Sequence, residues 1–92
     1  AIVSRFLPVQ EIPSLNQIRF TMVLNDEVRQ RGDSSQMILP LGDIPAYLEE
    51  FTDLMPGDII FTGTPEGVGV LTPGDEVKLD LAGHHMGNIR FI

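Results

Sequence analysis

The chain has 92 residues, enough for one domain or for part of one. Its net charge of −7, with six basic residues scattered along the sequence, leaves no basic face for nucleic acid. No apolar run approaches the ~18 residues that suggest a membrane span, and the absence of cysteine excludes a disulfide framework and Cys-based zinc sites.

The first residues, Ala1-Ile2-Val3-Ser4-Arg5, carry neither an initiator Met nor a signal-peptide pattern, so the natural protein is expected to continue upstream. Residues 1–16, with Pro8 and Pro13 among scattered apolar positions, read as an extended, irregular lead-in. From Gln17 a period of two begins. Ile18, Phe20, Met22 and Leu24 fall on one face and Arg19, Thr21 and Val23 on the other, which predicts a half-buried strand. Asn25-Asp26 tolerates positive φ and suits a two-residue hairpin turn into a short strand, Glu27-Val28-Arg29-Gln30. Gly32-Asp33-Ser34-Ser35 then reads as loop.

Asp43 suits the cap of a helix whose first turn accepts Pro45. Ile44, Tyr47, Leu48, Phe51 and Leu54 or Met55 keep helical spacing, which predicts one helix near residues 43–55. Pro56-Gly57-Asp58 ends it, with Pro and Gly at the central positions of a type II turn. Ile59-Ile60-Phe61-Thr62 is a short apolar run between turns, the pattern of a buried strand. A Gly-rich stretch, residues 63–69, follows. Pro73-Gly74-Asp75 repeats the earlier turn and launches a strand in which Val77, Leu79 and Leu81 alternate with Glu76, Lys78 and Asp80. After a loop containing Gly83 and Gly87, a last strand runs from Ile89 to Ile92. The sum is a strand-dominated α+β fold whose strand edges need partners.

Several residues invite a chemical reading. Gly63 and the Gly67-Val68-Gly69 run permit close approach of the backbone, and successive N–H groups there can cradle an anion. Thr64 adds a hydroxyl, and Pro65 stiffens the loop, so a carboxylate is the natural guest; a plain tight turn is the competing reading. Gln30, before the Gly32 loop, has an amide to offer a substrate oxygen, against the alternative of an exposed strand-end amide. Arg29 and Arg31 face away from it and receive no role. Glu49-Glu50 diverge on a helix, Glu76 and Asp80 flank Lys78 on a solvated face, and His84-His85 is expected in an exposed turn, so none of these makes a metal site.

The stretch from Leu54 to Gly69, LMPGDIIFTGTPEGVG, resembles the signature of the fumarylacetoacetate hydrolase family. Asn25-Asp26-Glu27-Val28-Arg29-Gln30 with Ser34-Ser35-Gln36-Met37-Ile38 is a second similar block, and Val3-Ser4-Arg5-Phe6-Leu7-Pro8 with Ile12-Pro13 is similar to acylpyruvase-like members. Many members have Gly where Asp26 stands, a departure that bears on turn geometry. The resemblance covers essentially the whole chain. It implies the C-terminal part of that family's mixed β-sheet domain. It implies a metal-dependent hydrolase or lyase that cleaves a C–C bond in 2-oxo acids such as acylpyruvates or oxaloacetate. Its alternatives are an isomerase or decarboxylase of hydroxylated dioic acids in aromatic catabolism, or a truncated, non-catalytic assembly module. The resemblance further implies Mg²⁺, with Mn²⁺ or Ca²⁺ as substitutes, on carboxylates upstream of this sequence. The catalytic His-Glu pair also lies upstream. Thr64, Gly63 and Gln30 are left as the substrate-binding residues, in a homodimer of the cytoplasm or of mitochondria.

Overall fold

The computed structural model describes residues 3–92; Ala1 and Ile2, the first two residues of the predicted lead-in, lie outside them. Four strands, β1 (Arg19–Leu24), β2 (Glu27–Asp33), β3 (Glu76–Leu81) and β4 (His84–Arg90), form one sheet in the order β2-β1-β3-β4. Every neighbouring pair is antiparallel. One short helix, α1 (Ile44–Glu49), lies in the connection between β2 and β3, and short 3₁₀ turns flank it and punctuate the lead-in. Strand dominance and a single helix follow from the sequence pattern.

The β1–β2 hairpin closes as its residues dictate. Leu24 pairs with Glu27, leaving a two-residue turn in which Asn25 (φ 50°) and Asp26 (φ 68°) both adopt positive φ. That is the turn whose twist matches the flanking strands. Phe20, Met22 and Leu24 pair with Leu81, Leu79 and Val77 across β1–β3, so these side chains share one apolar face. Its centre is Val77, 4% exposed, beside Leu24 at 8%. Ile44 of α1 is the third buried hydrophobe. On the opposite face Lys78 Nζ stands 3.7 Å from Asp26 and 4.0 Å from Glu76, the solvated charge cluster that the alternation predicts.

Four local expectations change. β2 continues through Gly32 to Asp33, because Gly32 pairs with Phe20 and a Cβ there would run into the Phe20 ring; the glycine seats an aromatic rather than breaking the strand. β4 starts at His84, after a tight Ala82-Gly83 turn, so the His pair lies on a strand and not in a loop. Its register slips by one residue around Met86, which hides the alternation. The helix stops at Glu49, and Asp43 makes no side-chain cap bond; a 3₁₀ turn, Leu41–Asp43, leads into it, and Pro45 sits in the first turn as expected.

The fourth change concerns Ile59-Ile60-Phe61-Thr62. The run is extended but pairs with no strand, and Phe61 is 74% exposed. The chain exposes 7177 Å², where a compact monomer of this size exposes roughly 5,300 Å². Its radius of gyration is 14.7 Å against about 12.3 Å for a compact domain of this length. Much of the excess is apolar surface between Phe51 and Leu71.

Both Pro-Gly-Asp turns close as the sequence predicts, and in the same way. Asp58 N–H donates to Met55 O (3.1 Å) and Asp75 N–H to Thr72 O (3.1 Å), with Gly57 at φ 93° and Gly74 at φ 94°. In each, the aspartate carboxylate accepts from the N–H of the turn's first residue at 2.8 Å.

Candidate functional site

The Gly63–Gly69 segment crosses β2 at Arg29 and Gln30, and Gln30 is the link. Met22 pairs with Gln30, so the amide projects from the apolar face of the sheet, where it is 9% exposed. A buried polar side chain in such a place must find partners. Gln30 Nε2 donates to Thr64 Oγ1 (2.9 Å) and to Pro65 O (3.0 Å), with Glu66 O at 3.5 Å. The carbonyls fix which way the amide points, because a carbonyl accepts and the NH₂ end alone can donate to it. Thr64 Oγ1 therefore receives a proton from Gln30, and its own hydroxyl proton is left to donate elsewhere. Thr64 as a whole residue is exposed.

The structure thus brings two of the residues singled out in the sequence, Gln30 and Thr64, into direct contact. Of the two readings of Gln30, the exposed strand-end amide does not hold, since Gln30 is buried in mid-strand and its amide reaches Thr64. Gly63, at φ 89°, precedes Thr64 and is not among the hydrogen-bond partners of Gln30. Gly67 lies flat on β2, where a Cβ would overlap the Arg29 carbonyl. Ser34, from the second family-like block, is also buried, and its hydroxyl is fully occupied in the backbone. It accepts from Ile18 N (2.7 Å) and donates to Leu15 O (2.8 Å), tying the lead-in to the end of β2. Sequence reasoning missed the Pro65 and Glu66 carbonyls as partners of Gln30, since backbone acceptors leave no residue signature.

Gln30 Nε2 spends its two N–H groups on Thr64 Oγ1 and Pro65 O, which leaves the Thr64 hydroxyl as the free donor of the clasp. Neutral oxygens already engaged in this way do not make a ligand set for a metal ion. Among the described residues no group of three or more His, Cys, Asp or Glu stands together as a ligand set. His85 Nδ1 lies 3.1 Å from Asp80 Oδ1 across β3–β4, a half-exposed pair with no third ligand. A cavity of about 340 Å³ lined by Pro13, Gln17, Arg19, Ala82 and Gly83 lies apart from Gln30 and Thr64.

Two carboxyls are held below the ordinary aspartate range. Asp33 is lowered chiefly by the Ser35 backbone N–H. Asp75 is lowered first by the Thr72 backbone N–H and then by the Asn25 amide. Both stabilise turns and neither touches Thr64.

A strand-dominated α+β unit that presents a Gly-Thr-Pro loop clasped by a buried glutamine is therefore the class of structure to be placed. The family model for the fumarylacetoacetate (FAA) hydrolase C-terminal region matches residues 1–91, and the chain belongs to the fumarylacetoacetate hydrolase family. The mitochondrial oxaloacetate tautomerase FAHD1 of Oryza sativa subsp. japonica is 36% identical over 81 residues, which are 88% of this chain and 35% of that protein. The 4-hydroxyphenylacetate degradation bifunctional isomerase/decarboxylase of Escherichia coli is 38% identical over 89% of this chain and 19% of its own length. The structure superposes on a fumarylacetoacetate hydrolase family protein from Yersinia pestis CO92 with a TM-score of 0.86 and 39% identity, covering 95% of this chain and 41% of that one. Fumarylpyruvate hydrolase from Pseudomonas aeruginosa, solved in complex with Mn²⁺ and pyruvate, gives a TM-score of 0.82 at 31% identity, over 92% of this chain and 36% of that one. The chain spans roughly a third of the rice protein's length, and a smaller share of the E. coli enzyme's.

Proposed function

We propose that this chain is the C-terminal part of a catalytic domain acting on 2-oxo acids such as acylpyruvates or oxaloacetate, and that it supplies the carboxylate-binding half of the site. The observation that carries the reading is the Gln30–Thr64 clasp. Gln30 Nε2 occupies the Thr64 oxygen at 2.9 Å, so the Thr64 hydroxyl proton is free to meet a substrate carboxylate. Gly63, before it, has the positive φ of 89° that glycine adopts readily. The Pseudomonas hydrolase, similar in fold and sequence, binds pyruvate, a 2-oxo acid with one carboxylate, together with Mn²⁺.

The divalent cation of that reading, Mg²⁺ or Mn²⁺, belongs on carboxylates outside this sequence, because the engaged neutral oxygens of the clasp make no ligand set for it. The exposed apolar stretch from Phe51 to Leu71 supports the same division. Further chain of the kind the longer relatives possess would cover it, and the whole would pair as a homodimer. A mitochondrial or cytoplasmic setting fits, the rice tautomerase being mitochondrial.

Two measurements test the reading. Pyruvate titrated into the ¹⁵N-labelled chain is expected to shift Thr64 and Gln30 resonances, and Thr64→Val is expected to abolish the shift. An unchanged Thr64 at saturating pyruvate would sink the carboxylate role. In an intact protein the same substitution is expected to lower kcat/KM by roughly 10- to 150-fold, the worth of a hydrogen bond to a charged group. The 92-residue chain with Mg²⁺ should not turn over acetylpyruvate or oxaloacetate. Turnover at the rate of a full-length relative would refute the placement of the metal ligands elsewhere.

A further inference from the structure

The β1–β2 pairing is regular at the hairpin end, where Leu24 meets Glu27 and Val23 meets Val28. The next pair is Met22 with Gln30, so Arg29 is an extra residue with no partner on β1. In an uninterrupted ladder Arg29 would oppose Met22, and Gln30 would fall on the Thr21 face, away from the apolar side. The bulge therefore decides which of two adjacent residues enters the apolar face. It selects the glutamine.

Arg29 also meets the loop that Gln30 clasps. A Cβ on Gly67 would overlap the Arg29 carbonyl and crowd Gln30 Cγ at 2.9 Å; a Cβ on Gly69 would overlap the Arg29 guanidinium. Gly69 does not have the left-handed φ that would by itself demand glycine, and what a Cβ there would meet is the guanidinium end of the long Arg29 side chain. The Arg29 guanidinium forms no ion pair with a carboxylate among the described residues.

We infer that the bulged Arg29 is the positioning residue of the Thr64 site: its carbonyl seats Gly67, its guanidinium seats Gly69, and together they hold the loop at the height where the Gln30 amide reaches Thr64. Bulges commonly re-aim side chains beside functional sites, and here the re-aimed side chain is the clasp itself. The value of this arrangement to a substrate rests on the carboxylate reading above, but the positioning can be measured with no ligand present.

The test uses the ¹⁵N-labelled 92-residue chain and follows the Gln30 side-chain amide, Thr64, and the β1 and β3 backbone amides. Deleting Arg29 leaves Gln30 opposite Met22 with a regular ladder. It is expected to keep the β1 and β3 signals while the Gln30 side-chain protons exchange faster and Thr64 gains fast motion. Gly69→Ala is expected to displace Thr64 in the native background and to have little effect beside Arg29→Ala, where the guanidinium it collides with is gone. Unchanged Gln30 and Thr64 signals in the deletion, or the same Gly69→Ala effect in both backgrounds, would overturn the inference. Should the deletion unfold the sheet, the Gly69→Ala and Arg29→Ala cycle, which keeps the bulge, decides alone. Pyruvate added last separates the two ideas. No shift at Thr64 in the native chain removes the carboxylate reading and leaves the positioning result standing. A shift that weakens several-fold on Arg29 deletion, with the sheet intact, supports both.

Discussion

The sheet and the stretch from Asp53 to Leu71 are both rich in branched aliphatic residues, yet they differ in almost every physical respect. In β1 and β3, apolar residues face one another across a hydrogen-bonded ladder, and Leu24 and Val77 are buried. In the stretch, Ile59, Phe61, Val68 and Val70 stand in solvent, and the run Ile59–Thr62 joins no ladder. Apolar composition is common to both; the neighbour is what differs. Burial belongs to a pair of surfaces, and among the described residues this stretch has no second surface against it.

The comparison can be broken by mutation, most severely in the sheet. Leu24→Ala is expected to cost about 2–3 kcal/mol, the lower part of the range for core leucines, because most of its neighbours are half-buried. Urea denaturation should show it as a lowered midpoint. Ser34→Ala strands the Ile18 N–H and the Leu15 carbonyl that its hydroxyl serves. A loss of about 1–3 kcal/mol is expected by the same measurement. Phe61→Ser, at a position 74% exposed, should change stability by less than about 0.5 kcal/mol in this chain. A loss of several kcal/mol would mean that Phe61 already packs in a core, and the contrast between the two regions would collapse.

A smaller effect sharpens the contrast through pH. The Asp75 carboxyl is lowered in the folded chain, so its contribution is present above the ordinary aspartate value and lost as pH falls through the lower folded one. Stability should therefore decline below about pH 4. Asp75→Asn should be less stable at neutral pH and flatter over that acid range, as read by thermal melts across a pH series. An identical acid slope in the variant would remove Asp75 from the account.

The sequence makes the sheet legible wherever alternation is unbroken and turns announce themselves. Ile18 to Leu24, Asn25-Asp26, the two Pro-Gly-Asp turns and Val77 to Leu81 all behave as their residue types require. Legibility fails at two strand ends. Gly32, which reads as a break, seats the Phe20 ring within β2, and the extra residue at Met86 resets the period of two, so the alternation ends β2 early and starts β4 late. It fails again at Ile59–Thr62, where the apolar run expected as a buried strand is extended, unpaired and exposed. At the candidate site, Thr64 and Gln30 were legible as polar groups beside glycines. Their mutual contact was not, because it joins residues far apart in sequence and depends on the bulge.

Asn25 carries a consequence of another kind. Its backbone N–H donates to Glu76 O (2.9 Å), its side-chain oxygen accepts from Glu76 N (2.9 Å), and its amide donates to Asp75 (2.8 Å). The side chain imitates a further residue of strand, carrying the β1–β3 ladder one step past its end. The chain between Asp26 and Gly74, the Thr64 loop included, is thereby closed at its base, with the β1–β2 ladder and the Gln30 clasp tying it further in. Rings of this size are forgiving, since doubling their length adds only about 0.6 kcal/mol to the entropy of closure. The span between Ser35 and Asp53 can therefore accept added residues at little thermodynamic cost, while a change at Asn25 gives up both side-chain hydrogen bonds at the base of the ring.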